Sequence, residues 1–108
     1  MANSAVRYKD KERYITDGIL SLLLEDVKNK LEKAYGSLEK ESKLIKAYKV
    51  WKDVNENMPP GLKDIELDEY LLDDTIKDDF KKIILEIKEK SPNENVQEAC
   101  SRILFLII

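Results

Sequence analysis

The chain contains no histidine. Histidine is the commonest general base in enzymes and the commonest protein ligand of transition metals. Because there is also only one cysteine, Cys100, the chain lacks the Cys and His sets that build zinc sites and Cys–His nucleophile pairs. Catalysis would have to rest on carboxylates and lysines. We therefore expect no enzymatic activity, no catalytic residue, no metal and no cofactor.

Glycine, proline and long apolar runs are also scarce. The three glycines, at 18, 36 and 61, are too scattered for a phosphate-cradling loop. The longest apolar run, residues 103–108, is far shorter than the ~20 residues of a membrane-spanning helix. The first 26 residues lack the apolar core of a signal peptide, and a lone cysteine does not indicate an oxidising compartment. We expect a cytoplasmic protein that does not bind membranes.

What the chain does contain favours helices. Charged residues make up 38% of its 108 residues, mostly Lys and Glu, and apolar residues recur at steps of three and four. The length suits one domain, residues 1–108, with residues 1–10 polar and loosely ordered. We therefore predict an all-α fold, a compact antiparallel bundle of four to five helices.

The first two helices are bounded by residues that end or start helices. An apolar stripe predicts helix one over residues 12–35, with Gly36 as a left-handed C-terminal cap. Ser37 is the predicted N-cap of helix two. This helix should end by about Asn55, because two prolines follow at 59 and 60. Tyr48 and Trp51, one turn apart, are predicted core residues.

The second half predicts three further helices. Residues 65–72 could form a short helix, Thr75 is a predicted N-cap for the next, and Ser91 precedes a last helix that runs to the chain end. Two segments in this half are also rich in β-branched residues, 83–88 and 103–108. A strand remains the alternative for both of them.

Two carboxylate motifs in the sequence resemble parts of metal sites. Asp64-x-Glu66-x-Asp68 begins like a calcium loop, but Glu69 stands where that loop needs glycine. Glu86-x-Lys88 matches part of a metal-dependent nuclease motif, which would require residues 83–88 to form a strand. Exposed, solvated helix faces explain both motifs better.

Nucleic acid is not the expected partner. Lysines recur between residues 28 and 52, but Glu39 and Glu41 are interspersed and the isoelectric point is near 5.1. Phosphate binding needs a concentrated positive field. A solubilising surface is the better explanation of these lysines.

Negative charge is concentrated in one stretch. Residues 53–79 carry ten acidic side chains against two lysines, a net charge of −8, whereas residues 1–52 sum to +4 and residues 80–108 to +1. Such a field repels nucleic acid and attracts basic molecules. The acids at 73–79 can be explained as caps and dipole partners of the helix that follows them. Those at 64–69 have no such local explanation.

The sequence therefore predicts a protein-binding module that docks a basic partner. Immunity proteins that neutralise toxins and inhibitors of nucleases are examples of this kind of function. The predicted contact residues are Asp64, Glu66, Asp68, Glu69, Tyr70, Asp73, Asp74, Asp78 and Asp79, with Tyr70 as an aromatic anchor.

A different function is suggested by the end of the chain. Residues Ile103–Ile108 are apolar on every side of a helix, so they must be buried in the bundle or against another chain. The alternative function is a structural or regulatory homo-oligomer, a homodimer through Ile103–Ile108, in which the acidic residues only confer solubility.

Overall fold

The computed structural model describes residues 3–71 and 73–107. Within these ranges the chain forms three strands and four helices. In chain order they are β1 (Asn3–Tyr8), β2 (Lys11–Thr16), α1 (Asp17–Tyr35), α2 (Lys43–Asn57), β3 (Asp64–Glu66), α3 (Asp74–Lys90) and α4 (Glu94–Ile107).

The predicted all-α bundle is wrong, because the fold is mixed α/β. Strand β1 lies in the centre of a three-stranded sheet of order β2-β1-β3. It pairs antiparallel with β2 and parallel with β3. The helices cover the sheet face that carries Val6 and Ile65, which are both buried. Arg7, Tyr14 and Glu66 are exposed on the opposite face.

The N-terminal hairpin replaces a loosely ordered start and the first turn of a helix. Residues 3–8 form β1, and α1 begins at Asp17 rather than at residue 12. The sequence does not distinguish β2 from a helix, because its buried Ile15 falls in phase with the apolar stripe of the helix that follows it. The turn between the strands has two residues, and Lys9 adopts a positive φ of 56° there.

Strand β3 replaces the start of the predicted short helix over 65–72. Ile65 is the register partner of Val6, and the Leu67 amide donates to the Arg7 carbonyl at 2.9 Å. A strand of three residues is too short to show a period of two in the sequence. Its partner lies almost 60 residues away, so local periodicity carries no sign of it.

The helix ends show which capping residues the structure uses. Gly36 is confirmed as the left-handed C-cap of α1, with φ 80° and an amide that donates to the Glu32 carbonyl. Ser42, not Ser37, caps α2, because its hydroxyl accepts from the amides of Leu44 and Ile45. The Ser37 hydroxyl instead accepts from the Glu39 amide in the connecting turn.

The N-caps of α3 and α4 each lie two residues away from the predicted cap. The Asp73 carboxylate accepts from the Thr75 amide and is the N-cap of α3 in place of Thr75. The Asn93 side chain accepts from the amides of Asn95 and Val96 at the start of α4, in place of Ser91. Asp and Asn are as effective as Ser at this position.

The two segments left open between helix and strand are helical as far as they are described. Residues 83–88 lie in α3, and 103–107 lie in α4; Ile108 is outside the described residues. Four side chains of the C-terminal run are buried within the monomer. Only Phe105 among residues 103–107 is exposed, by 52%. The buried four are Ile103, Leu104, Leu106 and Ile107.

Trp51 connects the helical layer to the edge of the sheet. As predicted, Trp51 and Tyr48 are core residues, each 2% exposed. The Trp51 indole Nε1 donates to the Glu66 carbonyl at 3.0 Å. Its ring packs against Phe80 of α3 with the centroids 5.3 Å apart. One side chain thus joins α2, β3 and α3.

Replacement of Lys9 tests the strain in the hairpin turn. Lys9→Gly should be more stable to urea than Lys9→Ala by about 1 kcal/mol, because a Cβ disfavours φ 56°. Both variants lose the same ammonium group. Asp10, whose φ is not positive, provides the control: Asp10→Gly should gain nothing over Asp10→Ala. Equal stability of the two Lys9 variants would contradict the turn geometry.

Candidate functional site

The predicted contact residues come from three consecutive parts of the fold. Asp64 and Glu66 lie on β3, with their side chains on the open face of the sheet. The turn after β3 carries Asp68, Glu69 and Tyr70. The remaining four acids, Asp73, Asp74, Asp78 and Asp79, lie at the start of α3.

Two of the acids that lacked a local explanation hold the hairpin in place. The Asp64 carboxylate accepts from Arg7 Nε at 2.9 Å, and Arg7 also pairs with Glu12 at 2.6 Å. The Asp68 carboxylate accepts from the backbone amide of Lys9 at 2.6 Å. The structural use of Asp64 and Asp68 is therefore nonlocal, which is why the sequence did not reveal it.

Two further acids have surroundings in the fold that account for them. Asp73 caps α3. Asp79 is half-buried in a groove between α1 and α3, which Lys82 also lines. The same groove holds an ion pair in which Lys30 Nζ lies 3.3 Å from the Glu86 carboxylate. Asp79 therefore lies among lysines and does not extend the acidic surface.

Four acids remain exposed. Among residues 3–71 and 73–107, none of their carboxylates makes a hydrogen bond or ion pair. We call them the acidic face: Glu66, Glu69, Asp74 and Asp78. No sequence signal separates them from the acids that the fold uses.

Tyr70 is half-buried rather than fully available to a partner. Its ring meets the Trp51 ring edge-on, with centroids 6.0 Å apart and an interplanar angle of 87°. This contact fixes the ring orientation. Tyr70 thus belongs partly to the core beneath the acidic face.

Basic groups border the acidic face at the hairpin tip. The Nζ atoms of Lys9 and Lys77 each lie 5.4 Å from the centroid of the Tyr8 ring. Arg7 is already engaged by two carboxylates. The hairpin therefore neutralises part of the −8 stretch, which the charge count alone could not show.

A second polar cluster lies where β1, α1 and the turn before β3 meet. The Asp17 carboxylate accepts from the Ser4 hydroxyl at 2.5 Å and from the Gly61 amide at 2.9 Å. Lys63 Nζ lies 4.0 Å from the same carboxylate and donates to Asn55 at 3.0 Å. Sequence reasoning missed this cluster, because nothing local distinguishes Asp17 from other acids at helix starts.

The cluster keeps Asp17 ionised. Its side chain is only 15% exposed, and burial by itself would raise the pKa of Asp17. The hydrogen bonds from Ser4 and Gly61 and the charge of Lys63 outweigh burial, so the pKa of Asp17 lies below its ordinary value. With its donors in place the group is a structural acceptor, because an ionised carboxylate this well satisfied is a poor general base.

Cys100 is buried and chemically quiet. Its side chain is fully enclosed in the core. Burial raises the pKa of the Cys100 thiol to about 11, and the charge of Asp26 adds to the effect. The reactive form of cysteine is the thiolate, so this residue is unsuited to nucleophilic or redox chemistry in the folded protein.

The two metal motifs have no counterpart in the geometry. Glu86 and Lys88 lie in α3, not on a strand. No group of three or more Asp, Glu or Cys side chains within the described ranges is placed to hold a metal ion. Similarly, no helix in the described part of the chain is long and apolar enough to cross a membrane.

The fold and the acidic face together define a small mixed α/β domain with an open-faced sheet. Comparison of the chain with protein-family models, with curated proteins and with solved structures gives no match.

The Asp17 cluster should make stability depend on acid pH. Because the pKa of Asp17 is lowered on folding, its contribution is fully present above the ordinary value of 3.8 and is lost as the pH falls through the lowered value. Asp17→Asn should lower the free energy of unfolding by about 2 kcal/mol at pH 7. It should also flatten the acid limb, which is the fall in unfolding free energy toward low pH in urea titrations repeated at a series of pH values. Glu41→Gln, at an exposed position, should change neither. An unchanged acid limb in Asp17→Asn would contradict this role.

Cys100 should resist thiol reagents until the protein unfolds. With a pKa of about 11, about one thiol in 1,000 is ionised at pH 8, and the core also blocks access. We expect 5,5′-dithiobis(2-nitrobenzoate) to react more than about 100-fold more slowly with native than with urea-unfolded protein. Equal rates would show that α4 does not enclose this residue.

Proposed function

We propose that this protein is a binding module without enzymatic activity, and that the acidic face docks a basic protein. The observation that carries the proposal is the set of four exposed carboxylates, at Glu66, Glu69, Asp74 and Asp78, that the described fold leaves without partners. Like charges without partners in one stretch of chain repel one another, whereas a basic partner would turn this repulsion into attraction. Toxin-neutralising immunity proteins and nuclease inhibitors are functions of this class.

The rigidity of the surrounding structure supports the proposal. Asp64 and Asp68 anchor the segment to the hairpin, and Trp51 holds β3 from the helical side. Asp73 fixes the first turn of α3. Charges on such a scaffold lose little conformational entropy when a partner binds, so more of the interaction energy appears as affinity.

The charge distribution also favours rapid association. Residues 64–79 carry eight acids against one lysine, Lys77. Complementary fields steer diffusing proteins together and raise association rates 10-fold or more at low salt. A neutralising protein must capture its target quickly, and an electrostatically steered encounter meets that need. A cytoplasmic location, suggested by the lone reduced cysteine, is part of the same proposal.

The homo-oligomer through Ile103–Ile108 stays an untested alternative. The monomer already buries Ile103, Leu104, Leu106 and Ile107. Of the described residues in that run, only Phe105 is exposed enough to contact another chain. The guanidinium carbon of Arg13 lies 4.2 Å from the centroid of the Phe105 ring and covers part of it. The acidic face is the better supported interface.

Charge reversal of the acidic face tests the proposal. A variant with Glu66, Glu69, Asp74 and Asp78 all changed to lysine should keep its fold. None of these side chains bonds to a described residue, and loss of the Asp74 charge at the start of α3 costs only about 1 kcal/mol. The partner is captured on the immobilised wild-type protein from extracts of the source cells, then purified. We expect the variant to bind it with an association rate at least about 10-fold lower, and with little salt dependence.

The control carries the same change in charge elsewhere. Glu39, Glu41, Glu89 and Glu94 are also exposed, and their reversal to lysine should leave most of the association rate intact. Circular dichroism and the urea midpoint establish that both variants are folded. Equal loss in the two variants would show that net charge rather than the acidic face governs binding. Capture of no basic protein would contradict the proposal outright.

A further inference from the structure

Phe105 is an exposed aromatic residue that lies beside basic groups. Six of the eight aromatic side chains of the chain are buried or half-buried, whereas Tyr14 and Phe105 are 51% and 52% exposed. The Tyr14 hydroxyl donates to the Glu12 carboxylate on the open face of the sheet. Phe105 instead lies on α4, where two cations approach its ring.

Both cations that approach the Phe105 ring come from β2. The guanidinium carbon of Arg13 lies 4.2 Å from the ring centroid, and Lys11 Nζ lies 5.7 Å from it. Lys11 and Arg13 are two residues apart on the strand, so their side chains point to the same face of the sheet. A cation is attracted to the face of an aromatic ring. These contacts therefore hold two positive charges at defined places on the surface.

The charges of Lys11 and Arg13 are not neutralised by any carboxylate in the described part of the chain. Neither residue forms an ion pair there. Glu12 lies between them in the sequence, but its carboxylate pairs with Arg7 on the opposite face of the sheet. The Arg13 guanidinium also keeps free donors, since one of its five N–H groups donates to the Glu12 carbonyl. These two cations can therefore bind an external anion without breaking an ion pair of the described structure.

Arg102 extends the basic surface along α4. It lies one turn before Phe105, and its Nη1 atom donates to the Tyr14 carbonyl of β2 at 2.5 Å. Its Nη2 atom is paired with Glu98 at 2.6 Å, so Arg102 joins α4 to β2 and adds no free charge. We call this surface the β2–α4 patch: Lys11, Arg13, Arg102 and Phe105. Three cations against the Glu98 carboxylate give it a net charge of +2.

The composition of the β2–α4 patch is that of a recognition surface. The chain has only three arginines, and two of them, Arg13 and Arg102, lie in this patch together with an exposed aromatic ring. Protein interfaces are enriched in arginine and aromatic residues and depleted in lysine and glutamate relative to the rest of the surface. In a chain whose surface charge comes mainly from lysine and acids, this clustering favours a role in binding.

We propose that the β2–α4 patch binds an acidic segment of another protein, in which carboxylates flank an apolar side chain. The carboxylates pair with Lys11 and Arg13, and the apolar side chain packs against Phe105. The net charge of +2 favours an anionic partner. A long nucleic acid is disfavoured, because the chain has a net charge of −3 and would repel a polyanion.

This proposal does not depend on the function proposed for the acidic face. The β2–α4 patch lies at the β2 edge of the sheet, whereas β3, which carries Glu66, forms the other edge. The two surfaces also have opposite charge. Each can therefore be tested without altering the other.

Peptides of one length test the class of partner. The pentapeptides Glu-Glu-Phe-Glu-Glu, Gln-Gln-Phe-Gln-Gln and Glu-Glu-Ala-Glu-Glu, all acetylated and amidated, are titrated into ¹⁵N-labelled protein at low salt. We expect the first to give saturable shifts at Lys11, Arg13 and Phe105 with a Kd of about 1 mM. The glutamine peptide should bind at least about 10-fold more weakly, and the alanine peptide several-fold more weakly. Equal binding of either control, or no saturable shift with the first peptide, would overturn the proposal.

Two charge reversals of equal size locate the site. Lys11→Glu combined with Arg13→Glu should lower the affinity for Glu-Glu-Phe-Glu-Glu at least about 10-fold. Lys46→Glu combined with Lys49→Glu makes the same change at exposed positions of α2 and should leave most of the affinity intact. Circular dichroism and the urea midpoint establish that both variants are folded. Equal loss in both would show that net charge governs binding and would defeat the assignment.

Phe105→Ala provides a second variant, which keeps both cations of β2. It should weaken binding of Glu-Glu-Phe-Glu-Glu several-fold, because the apolar contact is lost while the charges remain. Unchanged affinity would remove the ring from the site and contradict the proposal.

Two other occupants of the patch are distinguished by the same spectra. An oligothymidylate of five nucleotides that shifts Lys11, Arg13 and Phe105 with an affinity equal to that of the acidic peptide would indicate nucleic acid instead. Shifts of these residues that grow with protein concentration alone would indicate a second copy of the chain. Either result would overturn the assignment to an acidic protein segment.

Discussion

Parallel pairing of β1 with β3 is the constraint on which the rest of the fold depends. It joins the N-terminal hairpin to a segment almost 60 residues later in the chain, across α1 and α2. One ion pair, Arg7 with Asp64, and one hydrogen bond, from the Lys9 backbone amide to the Asp68 carboxylate, stabilise the join. Closing so long a loop is entropically costly, so pairing must be supported by the burial of Val6 against Ile65 and by the helices packed over them.

This pairing also divides the acidic stretch by role. Some of its carboxylates stabilise the fold, because the hairpin presents Arg7 and the Lys9 amide to them. Others are left on the surface, since no described donor reaches Glu66, Glu69, Asp74 or Asp78. The net charge of −8 counted along the sequence therefore comes from two populations of carboxylates, those bonded within the fold and those left exposed. Only the exposed population supports the proposed docking of a basic partner.

Local signals predicted the helical part of the fold well and the sheet not at all. The stripe of α3, the Gly36 cap and the burial of Trp51 follow from residues within a few turns of one another. Strand pairing, by contrast, is decided between distant segments. The same limit applied to the candidate site: the acidic residues were visible, but which of them the hairpin would occupy was not.

Both edges of the sheet accept hydrogen bonds from side chains outside the sheet. On β2, the carbonyls of Glu12 and Tyr14 accept from Arg13 and Arg102. On β3, the carbonyl of Glu66 accepts from the Trp51 indole. A strand added at either edge would have to displace these donors, which is how proteins protect exposed edges. Recognition through side chains would avoid that cost, and among the described residues β3 itself carries the exposed, unpaired carboxylate of Glu66.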